Sequence, residues 1–175
     1  MTQPNLFEQL NQIKAFVFDI DGVLTNGQVL VTEEGQQLRS VNIKDGYALQ
    51  HAVKLGYKVA VISGGKSQGM RHRFEGLGLH DVYLGQSHKE AAYSEFKAKH
   101  GLSDQEIAYM GDDMPDIPLL QQVGLPCCPA DACLDVLQIA VYISPLSGGS
   151  GCARELIEQT LKVQRTWHHE ESHRW

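Results

Sequence analysis

Short apolar segments rich in β-branched residues alternate along this chain with longer amphipathic segments. We predict strands over residues 15–18, 59–62, 81–84, 107–110, 124–128 and 140–143. The predicted helices between and after them cover residues 47–55, 68–77, 89–99, 115–122, 132–137 and 152–163. Apolar strands without polar alternation are typical of sheets covered on both faces. The pattern therefore predicts an α/β fold, a doubly wound, Rossmann-like parallel sheet that binds ligands at the carboxyl ends of its strands.

One segment, residues 27–42, interrupts this alternation just after the first predicted strand. Val29 and Val31 are followed by the turn-forming residues 33–35 and then by a second apolar segment at 38–41. This pattern predicts a β-hairpin inserted into the fold. A chain of 175 residues has room for one domain. We therefore expect a single domain over residues 1–166 without a separate cap domain, and a histidine-containing tail at 167–175 that is solvated or disordered.

Composition excludes several classes of protein. With 15 lysines and arginines against 21 acidic residues, the chain carries a net charge of −6. It therefore lacks the basic excess that binding to nucleic acids or anionic membranes requires. No apolar run approaches the length of a membrane span, and the first 14 residues do not resemble a signal peptide, so we expect a cytoplasmic protein. The four cysteines have no zinc-like spacing and are expected to be buried, reduced thiols.

Polar residues follow the predicted strands where their carboxyl ends should meet. They are Asp19 and Asp21 after the first strand, Ser63, Gly64 and Gly65 after the second, Lys89 after the third, and Asp112, Asp113 and Asp116 after the fourth. Magnesium binds through a few carboxylates together with a substrate phosphate. Each motif alone is commonly a turn or a helix cap. Their joint arrangement instead predicts one site for Mg²⁺ and a phosphate.

These residue types allow a specific reaction. Asp19 and Asp112 can supply carboxylates to a metal, and a carboxylate can also attack phosphorus to form an aspartyl-phosphate. Lys89 and the metal would offset the negative charge on the phosphoryl oxygens. Ser63 and the N–H groups after it could hold one of these oxygens. Asp21 could protonate the leaving oxygen and later activate water.

The four motifs together resemble those of the haloacid dehalogenase-like phosphatase superfamily, over residues 13–161. Its first motif, DxDxx[TV], matches residues 19–24, with Thr25 just beyond, and the other motifs match Ser63, Lys89 and residues 111–116. The resemblance implies that Asp19 is the nucleophile and a Mg²⁺ ligand. It implies that Asp21 is the acid/base and gives its backbone carbonyl to the metal, and that Asp112 is the third protein ligand. Asp113 and Asp116 would support the metal through water or indirect contacts.

A narrower resemblance is to the small uncapped phosphatases that act on 3-deoxy-D-manno-octulosonate (KDO) 8-phosphate. It rests on the sequence FDIDGVLT at 18–25, the hairpin, the segment at 42–46 and the glycine-rich segment at 147–155. The substrate-binding residues that it implies are Asp21, Asn42, Ile43, Lys44, Asp45, Gly46, Gly64, Gly65, Arg73 and Lys89. It also implies a role in lipopolysaccharide biosynthesis and a homotetramer in which hairpins from neighbouring subunits help to close each site.

Two residues depart from this narrower pattern. Gly65 stands where many members carry a larger, often basic residue, and Ser150 stands where a charged residue is common. Nine-carbon substrates, such as 2-keto-3-deoxynonic acid 9-phosphate or N-acylneuraminate 9-phosphate, therefore remain an alternative. A receiver-like signalling module also holds an aspartyl-phosphate with acids, Mg²⁺, Ser/Thr and Lys, but Asp21 argues against a stable phospho-aspartate. A scaffold without activity is a weaker alternative because every catalytic position is filled.

Overall fold

A six-stranded parallel sheet forms the centre of the protein, in a computed structural model that describes residues 5–168. The strands are β1 (Ala15–Phe18), β4 (Lys58–Ser63), β5 (Asp81–Leu84), β6 (Ile107–Met110), β7 (Leu125–Cys128) and β8 (Tyr142–Ile143). Their order in the sheet is β5-β4-β1-β6-β7-β8, and every neighbouring pair is parallel. This order puts β1, which leads to Asp19, at the centre of the sheet beside β4 and β6.

Helices cover both faces of this sheet. They are α1 (Leu6–Gln12), α2 (Ile43–Lys54), α3 (Gln68–Glu75), α4 (Glu90–His100), α5 (Ile117–Leu120), α6 (Leu134–Ile139) and α7 (Cys152–Val163). Successive residues of β1 point to opposite faces, so Phe16 and Phe18 join one apolar cluster and Val17 joins the other. The predicted doubly wound α/β fold is confirmed.

The hairpin predicted at residues 27–42 is present as the short antiparallel strands β2 (Leu30–Val31) and β3 (Gln37–Leu38). Other predictions were less accurate. The helix expected at 115–122 is a 3₁₀ turn, Met114–Asp116, followed by the four-residue α5. Helix α1 was not predicted, although Asn5 and Glu8 form a capping box at its start.

The chain remains packed at Trp167, the first residue of the predicted tail. The Trp167 ring packs edge-on against His51 and lies near the guanidinium of Arg154. The rest of the predicted tail, residues 169–175, lies outside the described residues. Of the four free cysteines, Cys133 is half-buried and the others are buried, as predicted. Among residues 5–168, the helices are too short or too polar to cross a membrane.

The start of α2 is tied to the glycine-rich segment before α7. Asn42 caps α2 by accepting a hydrogen bond from the Lys44 N–H, and its Nδ2 donates to the carbonyl of Gly149 at 3.1 Å. Asp45 is buried, and its Oδ1 accepts from the backbone N–H of Arg154 at 2.7 Å, in the first turn of α7. The two side chains therefore join the N-termini of two neighbouring helices.

The same glycine-rich segment packs directly on the turn that follows β1. The N–H of Gly149 donates to the carbonyl of Val23 at 2.9 Å. A Cβ atom on Gly148 would overlap the carbonyl of Gly22. Glycine at position 148 thus allows a close backbone approach that holds the outer side of the turn carrying Asp21.

We expect Gly148→Ala to destabilise the protein, because the added methyl group has no space unless the backbone moves. The predicted loss is roughly 2 kcal/mol or more in the free energy of unfolding, measured by urea denaturation. Gly69→Ala is the matched control: it lies in α3, and its Cβ would approach only Ser67 Oγ, at 3.7 Å. That variant should be stabilised by up to about 1 kcal/mol. Equal stability of the two variants would contradict the close-packing argument.

We expect Asp45→Asn to be at least as stable as the wild type at pH 7. Burial raises the pKa of Asp45 to about 6 despite hydrogen bonds from the Arg154 and Gly151 N–H groups. Because the pKa of this carboxyl is higher in the folded than in the unfolded state, the free energy of unfolding of the protein falls as pH rises from about 4 to 7, here by roughly 2–3 kcal/mol. Asparagine keeps the acceptor oxygen without the charge.

The measurement is the difference in unfolding free energy between Asp45→Asn and the wild type at several pH values. This difference should favour the variant at pH 7 and shift towards the wild type as pH falls to 4. Asp45→Ala serves as the control, because it also removes the cap of α7 and should cost about 1 kcal/mol relative to Asp45→Asn. A difference that does not change with pH would show that Asp45 carries no raised pKa.

Candidate active site

The turn after β1 places Asp19 and Asp21 at the carboxyl edge of the sheet. Asp19 continues the pairing of β1, and its N–H donates to the carbonyl of Met110 at 3.0 Å. The chain then bends through a turn over Ile20–Leu24, which the Thr25 N–H closes by donating to the Ile20 carbonyl, and in which Gly22 has a φ of 94°. A Cβ on Gly22 would overlap the carboxylate of Asp112. Glycine is therefore needed at position 22 both for backbone conformation and for space.

A buried lysine links the acidic residues of two strands. Lys89 Nζ lies 2.8 Å from Asp19 Oδ1 and 2.6 Å from Asp116 Oδ1. Tyr109 also donates a hydrogen bond to Asp116 Oδ1. Burial alone would lower the pKa of Lys89, but Asp19 and Asp116 outweigh that effect and raise it. Lys89 therefore stays charged at neutral pH beside the carboxylate of Asp19.

Asp116 organises the loop after β6. Its Oδ2 accepts hydrogen bonds from the N–H groups of Asp112, at 2.9 Å, and Asp113, at 3.2 Å. Because both its oxygens already have donors, Asp116 is suited to orienting its neighbours. The Asp116 N–H in turn donates to the backbone carbonyl of Asp113, at 2.9 Å, and the side chain of Asp113 is exposed.

The acidic cluster fits a hard cation such as Mg²⁺. One carboxylate oxygen from each of Asp19, Asp112 and Asp116 lies within 4.8 Å of the other two. Among the described residues, the buried Asp112 Oδ1 has no hydrogen-bond partner, and the one cationic group at Asp19 Oδ1 is Lys89 Nζ, at 2.8 Å. Oxygen ligands of this kind are the ones that Mg²⁺ prefers. Asp19 and Asp112 are thus the residues with oxygens available to the metal.

The electrostatics of these two carboxylates agree with that assignment. Burial raises the pKa of Asp19 to about 6, against the lowering effect of Lys89. Burial, followed by the charges of Asp19 and Asp116, raises the pKa of Asp112 to about 7. Crowded carboxylates of like charge are costly without a cation, which would relieve their repulsion.

A cavity of about 450 Å³ opens above the cluster. It is lined by Asp19, Asp21, Gly27, Ser63, Gly64, Gly65, Gln86, Ser87, Lys89, Asp112, Asp113, Pro115 and Asp116. Every residue predicted at the ends of the first four strands therefore lies at one cavity. Gln86 and Ser87, which were not predicted, follow β5 at the same edge. A phosphorylated small molecule fits the size and polarity of this space.

The hairpin contributes a further residue that was not predicted. Arg39, just after β3, makes a bidentate ion pair with Asp21: Nε lies 2.6 Å from Oδ1, and Nη2 lies 3.0 Å from Oδ2. A single arginine on a hairpin has no motif to mark it. Only the folding of the hairpin back over the turn after β1 brings the two residues together.

The predicted sugar-binding residues at positions 42–46 and Arg73 do not line this cavity. Asn42, Asp45, Gly46 and Arg73 instead border a small separate pocket between α2 and α3. Ile43 and Lys44 are exposed in the first turn of α2. Gly46 gives room to the arginine, since a Cβ there would lie 2.5 Å from Arg73 Nη2. Within one chain, these residues therefore connect elements rather than border the acidic site, and their contact with a sugar stays a prediction.

Comparisons with known proteins agree with this arrangement. A family model described as haloacid dehalogenase-like hydrolase matches residues 78–156. The 3-deoxy-D-manno-octulosonate 8-phosphate phosphatase of Salmonella typhimurium is 33% identical over 161 residues, which cover 92% of this chain and 86% of that protein.

Two solved structures with related sequences have the same fold. The 3-deoxy-D-manno-octulosonate 8-phosphate phosphatase of Yersinia pestis superimposes with a TM-score of 0.90 and 32% identity, over 92% of this chain and 87% of that one. The enzyme of that name from Moraxella catarrhalis, solved with a magnesium ion, a phosphate ion and KDO, gives a TM-score of 0.88 and 30% identity over 92% of both chains. The chain therefore belongs to the haloacid dehalogenase-like hydrolases, in the branch that contains these phosphatases.

Proposed function

We propose that this protein is a Mg²⁺-dependent phosphatase that converts KDO 8-phosphate to KDO and phosphate. The observation that carries the proposal is the position of Asp19, whose carboxylate lies at the floor of the cavity, 2.8 Å from Lys89 Nζ and beside Asp112. The complex of the Moraxella catarrhalis relative with magnesium, phosphate and KDO supports this choice of substrate. An aspartyl-phosphate on Asp19 is the intermediate.

The proposed reaction has two displacements at phosphorus. In the first, an oxygen of Asp19 attacks phosphorus, the bond to the sugar oxygen breaks, and Asp21 gives that oxygen a proton. In the second, water attacks phosphorus, the bond to Asp19 breaks, and Asp21 takes the proton from water. The carbon skeleton of the sugar is unchanged, and one phosphate is released in each cycle.

Cationic and hydrogen-bonding groups surround the position of the phosphoryl group. Lys89 is anchored on one side by Asp116, so its ammonium group offers charge without having to move. Ser63 lies at the end of β4, and its Oγ accepts a hydrogen bond from the Gly65 N–H at 3.2 Å, leaving its own proton for a phosphoryl oxygen. Asp19 and Asp112 would hold Mg²⁺, which supplies further positive charge to the phosphoryl oxygens when it is bound.

The test of this function is a comparison of kcat/KM across phosphorylated substrates, with and without a chelator. We expect KDO 8-phosphate to exceed hexose 6-phosphates by roughly 100-fold or more, and chelation to abolish turnover. A preference for a nine-carbon keto-acid 9-phosphate would favour the alternative that the glycine at position 65 leaves open. A flat profile would contradict a dedicated sugar-acid phosphatase.

Asp19→Asn is the variant that controls for contaminating phosphatases in this experiment. It should retain the fold by circular dichroism and lose all measurable turnover, because an amide does not replace the carboxylate as nucleophile. Retained phosphate release by the purified variant would exclude Asp19 as the attacking group.

We further propose that the protein is a homotetramer in the cytoplasm, in lipopolysaccharide biosynthesis. The exposed apolar side chains of the hairpin, Val29, Leu30, Val31 and Leu38, support assembly. Val29, Leu30 and Leu38 line a groove together with Arg39, which pairs with Asp21 in the wall of the cavity. A monomer would leave this apolar surface in water and the site covered by one hairpin alone.

We expect Leu30→Glu combined with Val31→Glu to shift the mass measured by light scattering from a tetramer to smaller species. The charges would be buried without partners in an apolar contact between subunits. Gln36→Glu, in the polar turn of the same hairpin, should leave the mass unchanged. A wild-type mass of one chain, or no change in the double variant, would contradict this proposal.

A further inference from the structure

Arg39 extends from the hairpin to a residue of the proposed reaction. Both oxygens of Asp21 accept from its guanidinium, and the Arg39 side chain is only 8% exposed in this contact. A bidentate arginine–carboxylate pair fixes the orientation of the carboxylate more firmly than a single hydrogen bond does. The Asp21 side chain is itself 35% exposed and lines the cavity, whereas Arg39 is not among the residues that line it.

Gly65 provides the space for this guanidinium. A Cβ atom at position 65 would lie 3.4 Å from Asp21 Oδ2 and 3.5 Å from Arg39 Nη2. Any larger side chain leaving position 65 would therefore point at the ion pair. Gly65 does not have a positive φ, so the backbone itself would accept another residue. A methyl group would fit there at ordinary van der Waals distance, so only a longer side chain at position 65 would press on the ion pair.

We propose that Arg39 is a positioning residue that orients Asp21 for its proton transfers. Arg39 belongs to the hairpin, and its guanidinium lies in the space beside Gly65. This inference rests on the proposed function, in which Asp21 is the acid and base. The shorter contact, from Nε to Oδ1, can persist while Oδ2 gives its proton to the leaving oxygen and later receives one from water. Arg39 itself forms no bond to phosphorus and transfers no proton.

The test uses three substrates that differ in what they require from Asp21. KDO 8-phosphate and glycerol phosphate have alkoxide leaving groups that need a proton, whereas p-nitrophenyl phosphate has a leaving group that departs without one. In Arg39→Ala we expect kcat/KM, which reports the first displacement, to fall by roughly 10- to 100-fold for both alkyl phosphates and by less than about 3-fold for p-nitrophenyl phosphate. KM for the alkyl phosphates should change little, because the phosphate contacts are intact.

Two other results would overturn the proposal. An equal loss of kcat/KM on all three substrates would mean that Arg39 only supports the fold. A loss confined to KDO 8-phosphate would mean that Arg39 contacts the sugar instead of orienting Asp21. Arg71→Ala is the matched control, since Arg71 is a half-exposed arginine on α3 that pairs with Glu75. Its three rates should match those of the wild type.

A second variant tests the position of the guanidinium directly. Gly65→Arg added to Arg39→Ala supplies an arginine from the opposite wall, and it should restore part of the lost activity on glycerol phosphate. A folded double variant that keeps p-nitrophenyl phosphatase activity but regains none on glycerol phosphate would refute the geometric argument. Failure of the wild type to prefer KDO 8-phosphate would contradict the proposed substrate alone, because the alkyl-to-aryl comparison does not require it.

Discussion

The buried ammonium group of Lys89, placed between Asp19 and Asp116, is the interaction on which the rest of the site depends. Its charge lies within 2.8 Å of both carboxylates, in a position with 5% exposure. Isolated burial of any of the three charges would be costly, and their pairing makes the arrangement possible. Asp116 then has its second oxygen free to hold the N–H groups of Asp112 and Asp113. One lysine, just before α4, thereby sets the geometry of the loop after β6.

Glycines allow these charged groups to approach the backbone closely. A Cβ on Gly22 would overlap the Asp112 carboxylate, and one on Gly111 would overlap the side chain of Asp116. On the outer side of the same turn, Gly148 meets the carbonyl of Gly22. The turn after β1 is thus enclosed by an acidic loop on one side and a glycine-rich segment on the other. Its position is fixed by contacts that any side chain at these glycines would disrupt.

The sequence predicted the strands, which depend on local pattern, and the meeting of the residues that follow them, because parallel strands have their carboxyl ends at one edge of the sheet. The strands ending at Phe18 and Met110 have the predicted bounds, and Asp19, Ser63 and Lys89 meet at one cavity. Long-range contacts of single residues could not be read in this way. Arg39 reaches Asp21 only because a hairpin of two-residue strands folds back over the turn.

The segment at 42–46 differs from Arg39, because it matches a recognisable motif but its residues make structural contacts within the chain. Asn42 holds the carbonyl of Gly149, and Asp45 caps α7. These polar groups therefore act on the turn after β1 through the glycine-rich segment, without bordering the cavity. A motif in a sequence indicates that particular residue types are required at its positions. It does not indicate the reason, because an asparagine or an aspartate can be required either to cap a helix or to contact a ligand.

The hairpin has two features that the sequence does not connect, an exposed apolar surface and an arginine that pairs with Asp21. Its strands expose apolar side chains, among them Leu30 and Val31, while the residue just after β3 pairs with Asp21. A two-stranded hairpin of this length has little stability of its own. Contacts that fix the exposed face would therefore also fix Arg39, and through it the carboxylate of Asp21. The hairpin therefore carries both the surface proposed for assembly and the arginine that orients the proton-transfer group, Asp21.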